Sequence, residues 1–216
     1  MGEQNWTVLV PVKRLDVAKS RLRGTLDDVP HQALALALAQ DTVAAARACP
    51  QVAAVLVLTD DAEATEALSA LGAQVHADPP GGGLNETFTL GGSLVTDGPV
   101  AALTADLPAL RPLELAAALR AAADGPAGVR RFVTDTPGTG TVLLTAPEGV
   151  PLEPRFGEDS ATAHAESGAV ALAGPWPTLR RDVDVPADLA AAAVLGLGRH
   201  TAALARRLAP VRAVDH

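Results

Sequence analysis

Short apolar runs alternate with longer helical patterns over about the first 125 residues of the chain. The apolar runs that predict strands lie at 7–12, 52–60, 73–78 and 99–106. The segments that predict helices lie at 31–49, 62–72, 85–96 and 113–123. Alternation of this kind is typical of a doubly wound α/β sheet with mostly parallel strands.

The pattern changes after about residue 125. VRRFVTD (129–135) and GTVLLTAP (140–147) predict a pair of strands separated by a turn-rich TPGTG segment. A polar loop, a short apolar run at 169–174, the segment RRDVDVPADL (180–189) and one Ala-rich helix follow. Because neither an internal repeat nor a clear linker interrupts the chain, we predict a single domain over residues 1–216.

Composition narrows the class of protein. Hydrophobic residues make up 48% of the 216 residues but aromatic residues only 2%, so Ala, Val and Leu must form the core. The net charge of −8 disfavours nucleic acid and anionic membranes as partners, although a small anion responds only to local charge.

The chain has a single cysteine, Cys49, which excludes an internal disulfide and is expected in a helix in the core. With no signal-peptide pattern and no apolar run of about 20 residues, a cytoplasmic protein is expected.

Four loops are predicted to leave the carboxyl ends of the parallel strands, where open α/β sheets bind ligands. They are VKRLDVAKSRLRG, TDDAE, DPPGGGLN and ADLPAL. The first carries Lys13, Arg14, Lys19 and Arg21, and its two lysines are the only lysines of the chain. Either the loop is a solvated basic segment or its charges bind phosphate; the lack of lysine elsewhere favours phosphate.

Three acidic residues are candidate metal ligands. Asp106 follows the apolar strand in LTADLPAL. A single carboxylate at the end of a strand suits Mg²⁺, which binds through one or two carboxylates together with substrate phosphates. The alternative, a cap for the helix that starts near Pro112, requires Asp106 to lie closer to that start. Asp182 and Asp184 point to the same side of an extended chain and could share a metal, but turn and cap chemistry explains them equally well.

Two glycine-containing segments are candidate anion sites. In GTGTVLL the glycine amides could approach an anion beside the hydroxyl of Thr139 or Thr141, although the segment alone predicts a hairpin turn. Gly157 and Ser160 precede a predicted helix whose N-terminal amides could bind an anion, unless Ser160 is simply its N-cap.

Several common sites are not predicted. GGGLN lacks the spacing of a Rossmann dinucleotide motif or a P-loop and could be a flexible surface loop. His164 is expected on the surface. His and Cys do not cluster, so zinc is not expected.

Six segments, in order and over nearly the whole chain, resemble one family. They are VPVKRLDVAKSRL, GGGLN, LTADLPAL, GTGTVLL, RFGEDSATAH and RRDVDVPADL. The family comprises the guanylyltransferases of deazaflavin coenzyme F-420 biosynthesis, which act on 2-phospho-L-lactate or phosphoenolpyruvate. The resemblance implies a Rossmann-like α/β/α sandwich of the glycosyltransferase-A or nucleotidyltransferase type, with a mixed, mostly parallel sheet.

The implied reaction transfers GMP from GTP to a phosphorylated three-carbon acid and releases diphosphate. The Ala- and Arg-rich composition resembles the members that use phosphoenolpyruvate to give enolpyruvyl-diphospho-5'-guanosine, with 2-phospho-L-lactate as the alternative acceptor. A functional link to the transferase of the next F-420 step follows from the family, and a homodimer is compatible with the Ala- and Leu-rich helices.

The resemblance also implies roles for residues of the acceptor and metal sites. Thr141, Gly157 and Ser160 match the positions that hold phosphoenolpyruvate. Asp106 matches the magnesium-binding acid, and Asp182 or Asp184 matches the second position on the metal side.

The nucleotide is assigned to the first loop. Lys13 and Lys19 match basic residues beside the triphosphate, where they are also expected to serve catalysis, and Arg21 belongs to the same charged loop. Asn85 falls where related enzymes contact the nucleoside. Many nucleotidyltransferases of this fold have a glycine-rich first loop. In this chain the first loop is instead VPVKRLDVAKSRL, so phosphate binding must depend on side-chain charge.

Two other functions remain open from the sequence. One is a transferase of the same fold with a different nucleotide, of the cytidylyl or sugar-nucleotide type. The other is a nucleotide-binding domain without catalytic activity, against which Asp106 and the two lysines argue.

Overall fold

The computed structural model describes residues 5–16, 18–19, 22–25, 29–79 and 81–206. Its strands are β1 (Trp6–Pro11), β2 (Val52–Leu58), β3 (Gln74–His76), β4 (Val100–Leu103), β5 (Arg131–Thr134), β6 (Thr141–Ala146) and β7 (Val170–Ala171). Its helices are α1 (His31–Arg47), α2 (Ala62–Ser69), α3 (Leu84–Ser93), α4 (Pro112–Ala123), α5 (Ser160–Glu166), α6 (Pro186–Leu195) and α7 (Arg199–Arg206).

The strands form one mixed sheet in the order β3-β2-β1-β4-β6-β5-β7. The first four strands in that order are parallel, β6 is antiparallel to β4 and β5, and β7 is parallel to β5. The predicted pair of strands after residue 125 is the β5–β6 hairpin. The prediction of a mostly parallel α/β sheet is confirmed.

Side chains of alternate strand residues enter two cores on opposite faces of the sheet, as the two-residue period of a strand requires. Val8 and Val10 of β1 pack on the face covered by α1 and α4, whereas Leu9 packs with Phe88 of α3 on the other face. Helices on both faces explain why the strands are continuously apolar rather than alternating.

A third apolar cluster connects the first loop to the C-terminal part of the chain. Leu22 packs there with Leu34 and Leu38 of α1 and with Val183 and Leu189 from the segment that contains α6. This contact brings the loop after β1 next to the segment that contains Asp182 and Asp184.

The Ala-rich C-terminal segment contains two helices rather than the single helix predicted. Helix α6 ends before Gly196, whose φ of 97° lies in the left-handed region that favours glycine, and α7 starts at Arg199. Asp41 of α1, only 5% exposed, accepts hydrogen bonds from the backbone N–H groups of His200 and Thr201. A buried cap on a distant helix thus fixes the position of α7.

Cys49 is buried in the core as predicted, but it lies just beyond the end of α1 rather than in a helix. Within the part of the chain that the structure describes, none of the helices combines the length and the apolarity needed to cross a lipid bilayer.

Candidate active site

The loops at the carboxyl ends of β1 and β4 and the β5–β6 hairpin surround two adjoining cavities. The first-loop cavity, of about 390 Å³, has walls from the first loop and α1: Pro11, Val12, Lys13, Leu15, Ala18, Lys19, Ala35, Leu38 and Ala39. The hairpin cavity, of about 700 Å³, has polar walls: Asp135, Thr139, Gly140, Thr141, Phe156, Gly157, Glu158, Asp159, Ser160 and Asp182. Both are also lined by Leu84, Thr104, Asp106 and Asp184.

Lys19 lies where the two cavities meet. Its Nζ donates to Asp106 Oδ2 and, over 2.6 Å, to Asp184 Oδ1. Burial alone would lower the pKa of Lys19, but the charges and hydrogen bonds of these two carboxylates outweigh it and raise the pKa. The ammonium is therefore fully charged at neutral pH. Lys19 also has a φ of 51°, an unusual conformation for a residue with a side chain and one that clusters at functional sites.

Lys13 lines the first-loop cavity but points its ammonium at the segment between β3 and α3. Its Nζ donates to Asp78 Oδ2 at 2.7 Å, to the carbonyl of Gly82 at 3.1 Å and to Thr87 Oγ1 at 3.0 Å. An ammonium group has three protons, so all of them have partners in this arrangement. Lys13 thus fixes the GGGLN segment, and its contact with a triphosphate stays a prediction.

The backbone of the first loop is anchored by Asp61. One carboxylate oxygen accepts the N–H of Leu15 at 3.0 Å, and the other accepts those of Glu63 and Ala64 at the start of α2. Burial opposes ionisation of Asp61, but these three backbone donors outweigh it and lower the pKa. Arg21, the other residue of this loop predicted to bind the nucleotide, lies outside the described residues.

Asp106, Asp182 and Asp184 are brought together at the hairpin cavity, as the sequence predicted. Asp106 is not a helix cap, because Arg111 is the N-cap residue of α4 and that helix has no side-chain cap. Burial, and then the negative charges of Asp106 and Asp184, raise the pKa of Asp182 to about 7. Burial and the neighbouring carboxylates therefore outweigh the positive charge of Lys19 at Asp182.

Two buried oxygens in the shared wall have no hydrogen-bond partner among the described residues: Asp106 Oδ1 and Thr104 Oγ1. Unpaired buried oxygens are costly, and both belong to residues that line the two cavities. Within the described ranges, no group of three or more acidic, His or Cys side chains is arranged to hold a metal by itself. The donor set therefore fits a hard divalent cation that takes part of its coordination from substrate oxygens and water.

Asp188 has a local role beside these acids. Its Oδ2 accepts the backbone N–H groups of Asp184 and Val185, so it caps the start of α6 and fixes the backbone that presents Asp184.

The GTGT segment forms the turn of the β5–β6 hairpin, which is the structure that the segment alone predicts. The N–H groups of Gly138, Thr139 and Gly140 donate to the carboxylate of Asp135, at 2.7, 3.1 and 2.9 Å. The alternative interpretation, in which these amides bind an external anion, finds them bound to an internal carboxylate. Thr141, in contrast, is a residue of the hairpin cavity wall.

His164 was expected on the surface, and this was wrong: its side chain is completely buried. It packs against Phe156, with ring centroids 5.1 Å apart in an edge-to-face arrangement. Its Nδ1 lies 2.9 Å from Thr141 Oγ1, and its Nε2 accepts the backbone N–H of Arg155 at 2.9 Å. Burial lowers the pKa of His164 to about 4, so the ring is neutral at pH 7.

The segment leading to Gly157 is held from a second side by Asn85. The side-chain amide of Asn85 accepts the N–H of Phe156 at 2.7 Å and donates to its carbonyl at 3.0 Å. Both ends of this amide are therefore occupied, and a contact with the nucleoside stays a prediction.

Gly157 and Ser160 lie beyond that anchored segment, in the wall of the hairpin cavity. Gly157 has a φ of 137°, which a residue with a side chain rarely adopts. Ser160 is the first residue of α5 and 98% buried, while Asp159 is the N-cap residue. The alternative interpretation of Ser160 as the N-cap is wrong.

Sequence reasoning missed four residues of this region: Thr104, Asp135, His164 and Asp78. A signal existed for Thr104, which precedes Asp106 by two residues and so shares its side of an extended chain. Asp135 and His164 had no local signal, because their partners are defined by turns and by contacts distant in sequence.

The arrangement of the sheet and the two cavities defines a class of enzyme. A nucleotidyl transferase from Methanothermobacter thermautotroptrophicus superposes with a TM-score of 0.57 at 15% identity, covering 90% of this chain and 98% of that one. CMP:2-keto-3-deoxy-manno-octonic acid synthetase complexed with CTP superposes with a TM-score of 0.58 at 16% identity, covering 88% and 98%. The fold is that of nucleotidyltransferases of the glycosyltransferase-A type.

Sequence comparison defines the family. Residues 6–167 match the family model described as guanylyl transferase CofC like, and the chain belongs to this family. A protein of Salinispora arenicola (strain CNS-205) named phosphoenolpyruvate guanylyltransferase is 62% identical over 96% of each chain. A protein of the same name from Streptomyces coelicolor is 54% identical over 94% of this chain and 97% of its own.

Proposed function

We propose that the protein transfers the GMP group of GTP to phosphoenolpyruvate, releasing diphosphate and forming enolpyruvyl-diphospho-5'-guanosine. The observation that carries this proposal is the meeting of two cavities at Asp106 and Asp184, the two carboxylates to which Lys19 is bound. A transfer between two bound molecules needs such a shared wall, because the reacting atoms must come within about 3–3.5 Å of one another. The relatives at 54% and 62% identity support phosphoenolpyruvate over 2-phospho-L-lactate as the acceptor.

We assign GTP to the first-loop cavity. Leu15, Ala35 and Leu38 give it apolar walls suited to a nucleoside, and Lys19 supplies positive charge at the end next to the hairpin cavity. The α-phosphate would then lie near the shared wall, with the base farther along α1.

We assign phosphoenolpyruvate to the hairpin cavity, beside Thr141, Gly157 and Ser160. Thr141 and Ser160 supply hydroxyl groups, and Gly157 lets the backbone come close to the ligand. The anchored segment before Gly157 keeps this wall rigid.

The proposed chemistry is an in-line displacement. A phosphate oxygen of phosphoenolpyruvate forms a bond to the α-phosphorus of GTP, and the bond from that phosphorus to the bridging oxygen of the diphosphate breaks. The attacking group is already an anion, so the protein supplies no general base. Its residues bring two anions together, and Lys19 offsets their charge.

Mg²⁺ is the proposed metal, held by Asp106 and Asp184 with Asp182 beside them. When bound, it would neutralise phosphate charge and polarise the α-phosphoryl group. The unpaired Asp106 Oδ1 and the carboxylate-rich wall support this assignment.

The test measures diphosphate release with each of the four ribonucleoside triphosphates, with and without phosphoenolpyruvate or 2-phospho-L-lactate, in the presence of Mg²⁺. We expect release only with GTP and phosphoenolpyruvate together. Asp106→Asn should reduce turnover by at least about 100-fold, whereas Asp97→Asn, a change of an exposed acid away from both cavities, should not.

Three results would contradict the proposal. Diphosphate release with another nucleotide would identify a different transferase. Diphosphate release with GTP and 2-phospho-L-lactate, but not with GTP and phosphoenolpyruvate, would change the acceptor. No release with any combination would favour a binding domain without catalytic activity.

A further inference from the structure

The hydrogen bonds of His164 determine which ring nitrogen carries its proton. A backbone N–H can only donate, so the bond from Arg155 N to Nε2 requires an unprotonated Nε2. A neutral imidazole has one N–H, which must then be on Nδ1. The 2.9 Å contact between Nδ1 and Thr141 Oγ1 is therefore a bond that the imidazole donates and the hydroxyl accepts.

This assignment determines the orientation of the Thr141 hydroxyl. Its oxygen accepts from His164, so its own proton must point elsewhere. Within the described residues the imidazole is the only hydrogen-bond partner of this hydroxyl, and the Thr141 side chain lines the hairpin cavity. The free proton is thus available to a ligand in that cavity.

The opposite tautomer of His164 would make the Thr141 hydroxyl an acceptor toward the cavity instead of a donor. If Nδ1 were unprotonated, the hydroxyl would donate to the ring and offer only lone pairs to the cavity. Lone pairs repel an anion, whereas an O–H donor to an anion is among the stronger hydrogen bonds in proteins.

We propose that His164 is a positioning residue, which holds the Thr141 hydroxyl as a hydrogen-bond donor to the anionic acceptor in the hairpin cavity. The inference rests on the proposed function for the identity of that acceptor. His164 does not touch the acceptor itself, because its side chain is completely buried behind Thr141 and Phe156.

The same ring also fixes the opposite wall of the cavity. Its Nε2 holds the backbone at Arg155, two residues before Gly157. One buried side chain thereby sets both the direction of the Thr141 proton and the backbone position of the segment that carries Gly157.

The direct test is the tautomer in the wild-type protein. Long-range proton–nitrogen NMR spectra of protein with ¹⁵N-labelled histidine distinguish a protonated ring nitrogen from an unprotonated one. We expect Nδ1 of His164 to be protonated and Nε2 unprotonated at neutral pH. The reverse pattern, or a doubly protonated ring, would overturn the proposal.

The kinetic test separates positioning from a structural role. His164→Gln can keep an acceptor for Arg155 N but removes the donor to Thr141. We expect the KM for phosphoenolpyruvate to rise on the order of 10-fold, the effect of a weakened hydrogen bond to a charged group, with the KM for GTP unchanged. Thr141→Val, which removes the hydroxyl, should raise the same KM.

The double variant Thr141→Val, His164→Gln is decisive. If His164 acts through the hydroxyl, the double variant has the same KM for phosphoenolpyruvate as Thr141→Val alone. Effects that multiply would show an independent structural role and contradict the proposal. If His164→Gln does not fold, the tautomer measurement still decides. A wild-type protein that releases no diphosphate would instead refute the proposed function.

Discussion

At the scale of single residues, Lys19 is the most constrained charge of the site. Its ammonium and the carboxylates of Asp106 and Asp184 form one hydrogen-bonded set in a partly buried wall. Removing the lysine leaves two neighbouring carboxylates without compensation, which is costly where solvent screening is weak. Substitution of Lys19 therefore changes the electrostatics of both cavities together, whereas Asp106→Asn keeps the shape and removes one charge.

His164 gives the protein a predictable sensitivity to acid. Its pKa is about 4 when folded and about 6.5 in an unfolded chain, so the unfolded chain binds an extra proton between these values. The stability contributed by the neutral ring is complete above about pH 6.5 and is lost as the pH falls toward 4. We expect a loss of up to about 3 kcal/mol in the free energy of unfolding over this interval.

Urea unfolding at about pH 7 and about pH 4.5 measures this loss. In His164→Gln the free energy of unfolding should fall less over the same interval, whatever its value at pH 7, because the group that titrates is gone. An equal fall in both proteins would contradict the prediction.

The residue types of the site could be predicted from the sequence, but many of their partners could not. The apolar strand before Asp106 and the rarity of lysine identified Asp106, Lys13 and Lys19 correctly as residues of one region. Lys13 binds Asp78, 65 residues away, and Lys19 binds Asp184, 165 residues away. Such pairs depend on the fold as a whole, so local patterns could identify the two lysines but not the carboxylates that bind them.

At the scale of elements, Asp61 links the first loop to helix α2. Because one of its oxygens caps the helix and the other holds Leu15, the two functions can be separated by substitution. Asp61→Ala should lose about 1–2 kcal/mol of stability and raise the KM for GTP. Asp61→Ser can still cap α2, so it should recover part of the stability but not the KM.

The test measures thermal unfolding and the KM for GTP in both variants. Asp60→Ser, at an exposed neighbouring acid, is the control. If Asp61→Ser restored the KM for GTP as well as the stability, the bond to Leu15 would have no part in shaping the first loop.

Elements with a clear apolar period were predicted well, and short or capped ones poorly. Strand β2 and helix α1 lie within a few residues of their predictions because their periodicity extends over several turns or pleats. The short apolar run at 169–174 contains only a two-residue strand, Val170–Ala171, at the edge of the sheet. The break between α6 and α7 was missed because alanine predicts helix strongly, whereas a distant carboxylate caps the start of α7.

At the scale of the whole molecule, Asp41 joins the first helix of the chain to the last described one. It is buried and accepts two backbone N–H groups of α7. Asp41→Asn keeps the size but replaces one acceptor by a donor that would face an N–H group. We expect a loss of about 2 kcal/mol, with faster hydrogen exchange at the amides of α7.

Hydrogen exchange followed by mass spectrometry localises the effect, and Asp124→Asn, at an exposed position after α4, is the matched control. Protection of α7 equal to that in the wild type would show that packing alone holds this helix.

The two cavities are built from different stretches of the chain. Apart from Ala105, the walls that belong only to the first-loop cavity lie between Pro11 and Ala39, and those that belong only to the hairpin cavity lie between Asp135 and Asp182. Under the proposed assignment of the two cavities, nucleotide choice and acceptor choice are encoded largely in separate parts of the gene. Evolution, or recombination in the laboratory, can exchange the second part to obtain a new acceptor while the donor specificity is inherited unchanged.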